Sequence, residues 1–433
     1  MLIYCYCNDF VGNLTRLWDW VSSTIESLCL LRYGGMMKRW LLNLVKCETI
    51  LIVAAILAII SCFFVPPDPQ YLSYIHVNTI SQLVCLMMVV CGFQRIGVFR
   101  SIGARLLRHV RTERGLVLVL MSLTFFSSMW ITNDVALVTF VPFALSVLVM
   151  ANAEKQSILV ITLMTIGANV GSMLTPIGNA HNLYLKALTH MSTQDFLKIM
   201  APYTITAALL MIVFAFVFFK SRAVDQFAGL HGDDIEQSVL APSHGHPQPD
   251  EIRVMGYGMS FTRWRVTVYS LLFVVCLCGV SGWIPDWIMV LIMVAAFLVC
   301  DRHVFRVLDW ALPLTFIMFF VFIGNMRRVP GFSDLAQMWV GTHPMEVSIA
   351  SSQFISNVPT TILLSGFCDQ WKLLIIGTNL GGMGTLIASM ASLISYKGIT
   401  HQYSHYRGRY LLTYTIVNVF FLAVLMSLAW IIE

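Results

Sequence analysis

The segments TNDVAL at 132–137 and GANVGS at 167–172 return in altered form as SNVPT at 356–360 and GTNLGG at 377–382. In each half, a turn containing Asn precedes a Gly- and Asn-rich stretch within an apolar region. Polar and glycine clusters are costly in lipid, and they occur mainly where broken helices line a substrate or ion cavity. The repetition therefore predicts two matching halves that meet at one site.

Around these segments the two halves align at constant offsets. Segment 125–143 aligns with 349–367, and segment 167–183 aligns with 377–393. Many of the identities fall on small and polar residues: Ser127/Ser351, Ser128/Ser352, Asn133/Asn357, Asn169/Asn379, Gly171/Gly381 and Thr175/Thr385. Two unrelated apolar segments would match mainly at Leu and Val, so we infer an internal duplication.

The composition is that of a polytopic membrane protein. Hydrophobic residues form 58% of the 433 positions and charged residues 11%, with a mean hydropathy of +0.77, outside the range of soluble domains. The net charge of +5 does not indicate nucleic acid binding, because the 27 basic and 22 acidic residues are scattered over short loops. The eleven cysteines lack CxxC spacing, which argues against disulfides and a zinc site.

Apolar stretches of about 20 residues are long enough to span a bilayer as helices. About nine crossings are predicted on this basis, at 44–64, 77–94, 157–190 with a break, 200–220, 265–282, 284–300, 309–325, 371–397 with a break, and 408–431. Segments 116–151 and 344–368 are too polar at their middle for simple spans. We predict that they are re-entrant helical hairpins with tips at Asn133 and Asn357. The predicted fold is therefore all-α, with inverted structural repeats, two hairpins and broken helices.

The distribution of Lys and Arg predicts the orientation. With a cytoplasmic N-terminus, all basic residues lie on the cytoplasmic side except Lys186, Lys198, Arg327, Arg328 and Lys372, as the positive-inside rule requires. The second half is then inverted relative to the first, and the hairpins enter from opposite faces. The predicted organisation is an N-terminal extension at 1–43 with translation starting at Met36 or Met37, a first repeat at 44–220, a cytoplasmic linker at 221–264, a connecting span at 265–283, and a second repeat at 284–433.

The polar groups of the two halves suit ions of either sign. Backbone carbonyls and amide oxygens can bind Na⁺, whereas helix N-termini and amide N–H groups can bind an anion. The candidate substrate- and ion-binding residues are Thr132, Asn133, Asp134, Gly167, Asn169, Thr175, Asn179, Ser356, Asn357, Thr360, Gly377, Asn379 and Thr385. A sodium site is expected among Thr132, Asn133, Ser356 and Asn357. Close helix packing is the alternative explanation of the glycines alone.

Two ionisable residues lie in the motif regions. Asp134 is the only acid in either hairpin motif, and its counterpart is Val358. An acid at membrane depth indicates function by default, so Asp134 is expected to attract a coupling cation or to carry a proton. Stabilisation of the helix N-terminus that follows the tip is the alternative role. His181 is interpreted either as a proton carrier or, more simply, as a hydrogen-bonded bystander.

The segments TNDVAL at 132–137, LTPIGN at 174–179 and SNVPT at 356–360 resemble motifs of the ion transporter superfamily. Within it the chain is similar to ArsB/NhaD-type permeases with a citrate-transporter-like domain, in particular to the YbiR-type anion permeases of bacteria. The resemblance covers about 44–431. It implies an elevator-type transporter with inverted repeats, often dimeric, in a bacterial inner membrane.

The third position of each tip differs from related symporters. Divalent anion:sodium symporters of the superfamily have Ser-Asn-Thr at both hairpin tips, whereas this chain has Asp134 and Val358 at the third positions. An Asn-Asp pair at the first tip is similar to the arsenite permease pattern, and it also suits Na⁺/H⁺ antiport. The resemblance therefore leaves the substrate class open.

The expected function is secondary active transport of a small inorganic or carboxylate anion, coupled to Na⁺ or H⁺. No GxxxxGK[ST] motif for ATP and no HExxH motif for hydrolysis occurs in the sequence, so an enzyme is not expected. The expected setting is a homodimer in the bilayer of the bacterial inner membrane, with a cytoplasmic N-terminus and no cofactor apart from a coupling Na⁺. A Na⁺/H⁺ antiporter and a passive anion channel are the alternatives.

Overall fold

A computed structural model describes residues 49–107, 110–221 and 263–433 of the chain. These residues form nineteen α-helices and short 3₁₀ turns, and they contain no strand. The predicted N-terminal extension at 1–43, its start at Met36 or Met37, and nearly all of the predicted linker lie outside the described residues. The prediction of an all-α polytopic membrane protein is confirmed.

The helices before the predicted linker are α1 (Thr49–Phe64), α2 (Tyr71–Tyr74), α3 (Val77–Arg95), α4 (Val98–Leu107), α5 (Glu113–Ser128), α6 (Asn133–Met150), α7 (Ser157–Met173), α8 (Ala180–Thr189) and α9 (Thr193–Phe218). The helices after it are α10 (Arg263–Val280), α11 (Asp286–Cys300), α12 (Val304–Val307), α13 (Ala311–Met326), α14 (Pro330–Thr342), α15 (Pro344–Ile355), α16 (Asn357–Ser365), α17 (Trp371–Leu380), α18 (Met390–Gln402) and α19 (Arg407–Ile432).

The helices on either side of α10 follow one another in the same order. The second helix of each series has four residues, and the last has 26 residues. Packing between the series is reciprocal, because α1 packs against α13 while α3 packs against α11. Likewise α18 packs against α6, and α8 packs against α16. The tertiary structure thus carries the same twofold pattern as the sequence motifs, and the inverted orientation of the second series remains a prediction.

Five helices among the described residues are long and apolar enough to cross a membrane, or six when α13 and α14, bent by 106°, count as one span. Shorter apolar helices lie at Ile50–Phe64, Trp264–Val280 and Asp286–Cys300. One of the five is α6, which was predicted as a hairpin arm. The first hairpin has arms of 16 and 18 residues, whereas the second has arms of 12 and 9 residues. The hairpins therefore share an order of elements but differ in size.

Two ion pairs join the series outside the hairpins. The buried Arg95 at the end of α3 donates to Asp301 after α11, with 2.6 Å between Nη1 and Oδ1. Arg328 after α13 donates to Asp68 after α1 at 2.7 Å, and this pair is partly exposed. Each pair joins the third helix of one series to the first helix of the other. The ion pairs therefore repeat the twofold pattern and fix α1, α3, α11 and α13 together.

Candidate functional site

The two hairpin tips differ in backbone geometry. In the first hairpin, Thr132 immediately precedes α6 with an extended conformation at φ −63° and ψ 152°. In the second, only Ser356 separates α15 from α16, and it has φ 72° and ψ 155°. A non-glycine residue in this region costs about 1–3 kcal/mol and persists only when the surroundings impose it. The hydrogen bond from Asn357 N to Ala388 O, 2.9 Å long, is one such restraint.

Each hairpin is followed by a broken helix. The helix α7 ends at Met173, and a 3₁₀ turn at Pro176–Gly178 leads to α8. Pro176 has no N–H to donate, which favours the break, and Thr175 caps the turn by accepting from Gly178 N at 3.1 Å. In the second half, residues 381–389 separate α17 from α18. Gly384 in this loop has φ 113°, a conformation that side chains rarely adopt.

Matching threonines fasten each broken helix to its hairpin. Thr175 Oγ1 donates to Met129 O at 2.5 Å, and Thr385 Oγ1 donates to Gln353 O at 3.0 Å. Residues 129 and 353 are aligned positions in the two hairpins. Gln353 adds bonds in the second half, because its Nε2 donates to Gly381 O and Met383 O while its Oε1 accepts from Thr385 N. These threonines, predicted as ligand-binding residues, therefore hold the hairpins in place.

The glycines Gly167 and Gly377 also lie against the hairpins. A Cβ on Gly167 would lie 3.3 Å from Met121 O, and one on Gly377 would lie 2.6 Å from Met345 O. Residues 121 and 345 are again aligned positions. Both glycines therefore allow a broken helix to approach the first arm of its hairpin. This contact matches the alternative explanation by helix packing.

A buried cluster of amides and hydroxyls joins the two halves. Asn133 Nδ2 donates to Asn169 Oδ1 at 3.0 Å, and Ser389 Oγ donates to the same oxygen at 3.2 Å. Asn169 Nδ2 donates to Gly382 O at 3.3 Å. Because Ser389 and Gly382 belong to the second broken helix, the first tip and both broken helices meet here. We call Asn133, Asn169, Gly382 and Ser389 the amide cluster.

The second tip reaches the same loop. Asn357 N donates to Ala388 O, the neighbour of Ser389. The side chain of Asn357 also lies against Gly382, since a Cβ there would be 2.8 Å from its Nδ2. Asn133 Nδ2 lies 3.5 Å from Ser389 Oγ. Both hairpin tips therefore converge on the dipeptide Ala388-Ser389, at the start of α18.

Asn182 and Asn379 form a second connection between the halves. Asn182 Nδ2 donates to Asn379 Oδ1 at 3.0 Å, and Asn379 Nδ2 donates back to Asn182 Oδ1 at 2.8 Å. His181 is fully buried near Asn379. Neither ring nitrogen reaches hydrogen-bond geometry with a described residue. The side chain of Asn379 lies next to the imidazole, and both interpretations of His181 remain predictions.

Asp134 lies in the first turn of α6, beside the amide cluster. Its backbone N–H donates to Asn133 Oδ1 at 3.0 Å, and its carboxylate Oδ1 is buried without a partner among the described residues. The carboxylate of Asp309, in the turn before α13, is a second acid near it. Asp309 Oδ1 accepts from Ala311 N at 3.0 Å. The position of Asp134 suits both a charge for a cation and stabilisation of the helix N-terminus.

The remaining predicted residues surround these contacts. Thr132 is half-buried and makes no side-chain capping bond. Asn179 is buried at the N-cap of α8, and Thr360 is fully buried with no partner for its hydroxyl among the described residues. The structure brings Asn133 and Asn169 into one cluster and places Ser356 and Asn357 at its edge. It places Thr175, Thr385, Gly167 and Gly377 in the contacts between hairpin and broken helix.

Four residues of the site were not among the predicted ones: Gly382, Ser389, Gln353 and Asn182. Ser389 aligns with Asn179, Gln353 aligns with Met129, and Asn182 follows His181 in the first broken helix. The signal for Ser389 and Gln353 was available, since each occupies a polar position in the aligned repeats. Ser389 and Gln353 differ from their aligned counterparts, so identity between the repeats does not single them out.

The chemistry of the site is polar without fixed positive side chains. Amides, hydroxyls and carbonyls form its contacts, and the helices α6, α8, α16 and α18 begin within it. Helix N-termini carry partial positive charge and exposed N–H groups, which favours anions, while carbonyl and amide oxygens favour Na⁺. The described residues contain no group of three or more His, Cys, Asp and Glu side chains that could hold a metal ion.

Comparison with known proteins agrees with this architecture. The family model described as "Citrate transporter" matches residues 40–370. The inner membrane protein YbiR of Escherichia coli is 27% identical over 345 residues, which are 77% of this chain and 83% of that protein. An uncharacterized transporter of Methanocaldococcus jannaschii is 29% identical over 354 residues, which are 81% of this chain and 89% of that protein. With its paired hairpins and broken helices, the chain belongs to the citrate transporter family.

Proposed function

We propose that this protein is a secondary active transporter that moves a small anion or oxyanion, coupled to Na⁺ or H⁺. The observation that carries the proposal is the convergence of both hairpin tips on Ala388-Ser389. The two tips and the two broken helices meet at one buried point. There they provide N–H groups and oxygens as uncharged ligands. Such a site can bind an anion and a cation side by side.

The proposed roles follow from the position of each group. The N-termini of α6, α16 and α18 face the anion, because a helix start carries partial positive charge. Oxygens of Thr132, Asn133, Ser356 and Asn357 bind a coupling Na⁺, and Asp134 supplies charge beside them. Alternating access then consists of the hairpins and broken helices moving together against α1, α3, α11 and α13. We place this transporter in a bacterial inner membrane as a homodimer with a cytoplasmic N-terminus.

Thermal unfolding of the purified protein tests the proposal. A ligand that binds only the folded state raises the midpoint of unfolding in proportion to occupancy. We would compare citrate, succinate, sulfate, phosphate, arsenite and arsenate, each with Na⁺ and with choline in its place. A shift for one anion that requires Na⁺ identifies a sodium-coupled anion transporter. An Na⁺-independent shift that changes with pH indicates proton coupling.

The unpartnered carboxylate oxygen of Asp134 favours one second candidate, a Na⁺/H⁺ antiporter. An antiporter needs the acid but no anion site. The same assay separates the two functions, because an antiporter shows a pH-dependent shift with Na⁺ alone and none with any anion. Sodium–proton exchange in proteoliposomes then separates the two functions. If Asp134 carries the proton, Asp134→Asn abolishes Na⁺-dependent proton release.

A further inference from the structure

An apolar groove opens on the surface far from the amide cluster along α7. It has a volume of about 550 Å³ and lies between α7, α9 and α19. Its walls are mainly aromatic and aliphatic side chains: Leu159, Phe214, Phe218, Ile416, Val417 and Phe420. Phe214 contacts both Phe218 and Phe420, with 5.0 and 5.6 Å between ring centroids. A groove of this kind in a membrane protein accepts a hydrocarbon chain.

The mouth of the groove is cationic. Lys155 and Arg409 line it with exposed side chains, and neither forms an ion pair within the described part of the chain. Gln156, the residue after Lys155, also lines the groove, and its Oε1 is buried. The neighbouring acid Glu154 lies near Tyr403. The mouth therefore offers two positive charges.

Arg114 of α5 adds a third positive charge at Phe219, just after the end of α9. Arg114 donates to Phe219 O at 2.9 Å, and its guanidinium lies 4.7 Å from the ring centroid of Phe216. Arg114 thereby occupies carbonyl groups that would otherwise present negative partial charge at the helix C-terminus. Lys155 in the turn before α7 and Arg409 in the first turn of α19 lie at chain positions that the Lys and Arg distribution predicts to be cytoplasmic. The cytoplasmic leaflet contains anionic lipids.

We propose that this groove binds an anionic phospholipid, for which phosphatidylglycerol serves as the probe. The phosphate lies between Lys155 and Arg409, and an acyl chain packs against Phe214 and Phe420. Charge complementarity at the mouth and the apolar walls together select this ligand over a zwitterionic lipid or a free anion. The lipid contacts the same helix, α7, that carries Asn169 at its other end.

The test compares lipid binding by the purified full-length protein and variants. Wild-type protein in detergent receives phosphatidylglycerol or phosphatidylcholine, and the midpoint of thermal unfolding gives the apparent affinity. We expect phosphatidylglycerol to bind about 30-fold more tightly, because each of two cations near the headgroup favours an anionic lipid. Lys155→Gln with Arg409→Gln removes this preference. The matched control, Lys198→Gln with Lys372→Gln, removes two exposed cations elsewhere and keeps it.

A second variant tests the groove itself. Thr413→Trp places a large side chain in the groove wall without a change of charge, and we expect it to abolish stabilisation by phosphatidylglycerol. Equal affinity for the two lipids in wild-type protein, or full stabilisation in Thr413→Trp, overturns the proposal. Inorganic phosphate producing the same stabilisation overturns it as well, because the site would then bind a free anion. Native mass spectrometry of wild-type protein in mixed lipids needs no variant, and equal retention of both lipids contradicts the proposal.

Discussion

Asn169 connects more parts of the site than any other residue described at the amide cluster. It accepts from Asn133 and Ser389 and donates to Gly382, so one side chain contacts the first tip and the second broken helix. Asn169→Ala leaves these buried groups unpaired, at a cost of about 1–3 kcal/mol. We expect it to abolish anion-dependent thermal stabilisation as well.

Asn418 provides a matched control for Asn169. It is a fully buried asparagine on α19, and its Nδ2 donates to Tyr414 O at 2.9 Å, away from the amide cluster. Asn418→Ala is expected to lower stability to a similar degree while the shift caused by the anion persists. Loss of that shift in both variants would mean that it reports general destabilisation rather than the site.

Ser356 is the strained residue of the second tip. Its φ of 72° and ψ of 155° are readily adopted only by glycine. Ser356→Gly is therefore expected to raise the free energy of unfolding by about 1 kcal/mol, since relief of strain exceeds the entropic cost of glycine. Thr132→Gly at the aligned position, where φ is −63°, should lower it. Equal destabilisation by both substitutions in chemical unfolding would show that Ser356 is not strained.

At the scale of the elements, each hairpin is fastened to its own broken helix. The bonds from Thr175 to Met129 O and from Thr385 to Gln353 O are independent of each other. Thr175→Val is expected to increase hydrogen exchange at the first tip, in peptides covering 129–135, because the hairpin opens locally more often. Thr385→Val should act only on peptides covering 353–358. Each variant serves as the control for the other, and a change at both tips in either one would contradict independent attachment.

At the scale of the whole molecule, the two ion pairs between the series differ in burial. Arg95 and Asp301 have side chains exposed by 8% and 1%, whereas Arg328 and Asp68 are exposed by 38% and 29%. Arg95→Met leaves the buried Asp301 without its cationic partner, with hydrogen bonds from Tyr269 Oη and His303 N remaining, and we expect a loss of about 3–5 kcal/mol in the free energy of unfolding. Arg328→Met is expected to cost at most about 1 kcal/mol, because solvent screens the pair.

The double variant Arg95→Met with Asp301→Asn provides the control. It removes the unpaired charge and should recover part of the stability lost in Arg95→Met. High salt should diminish the effect of Arg328→Met and leave that of Arg95→Met nearly unchanged. Equal losses in the free energy of unfolding for Arg95→Met and Arg328→Met would contradict the expectation that the buried ion pair contributes more.

Most of the fold was predictable because it depends on local pattern. Membrane helices must satisfy their own backbone groups, so long apolar segments specify them directly. The paired tips at Asn133 and Asn357, and the breaks after Met173 and Leu380, follow from polar and glycine residues in apolar surroundings. The length of α6 was not apparent, because the apolar pattern does not distinguish a long hairpin arm from a crossing helix.

The membrane class, the helical fold and the repeated motifs can be derived from the sequence alone, because composition and local pattern specify them without contacts between distant residues. Which distant residues touch follows only from the packing of the helices. The tertiary structure places Asn169 beside Ser389, 220 positions away, and assigns Thr175 and Thr385 to the attachment of hairpins. Such contacts depend on the packing of helices from different repeats, and the identity of a side chain does not specify its distant partner. The apolar groove with its cationic mouth likewise exists only because α7, α9 and α19 pack together.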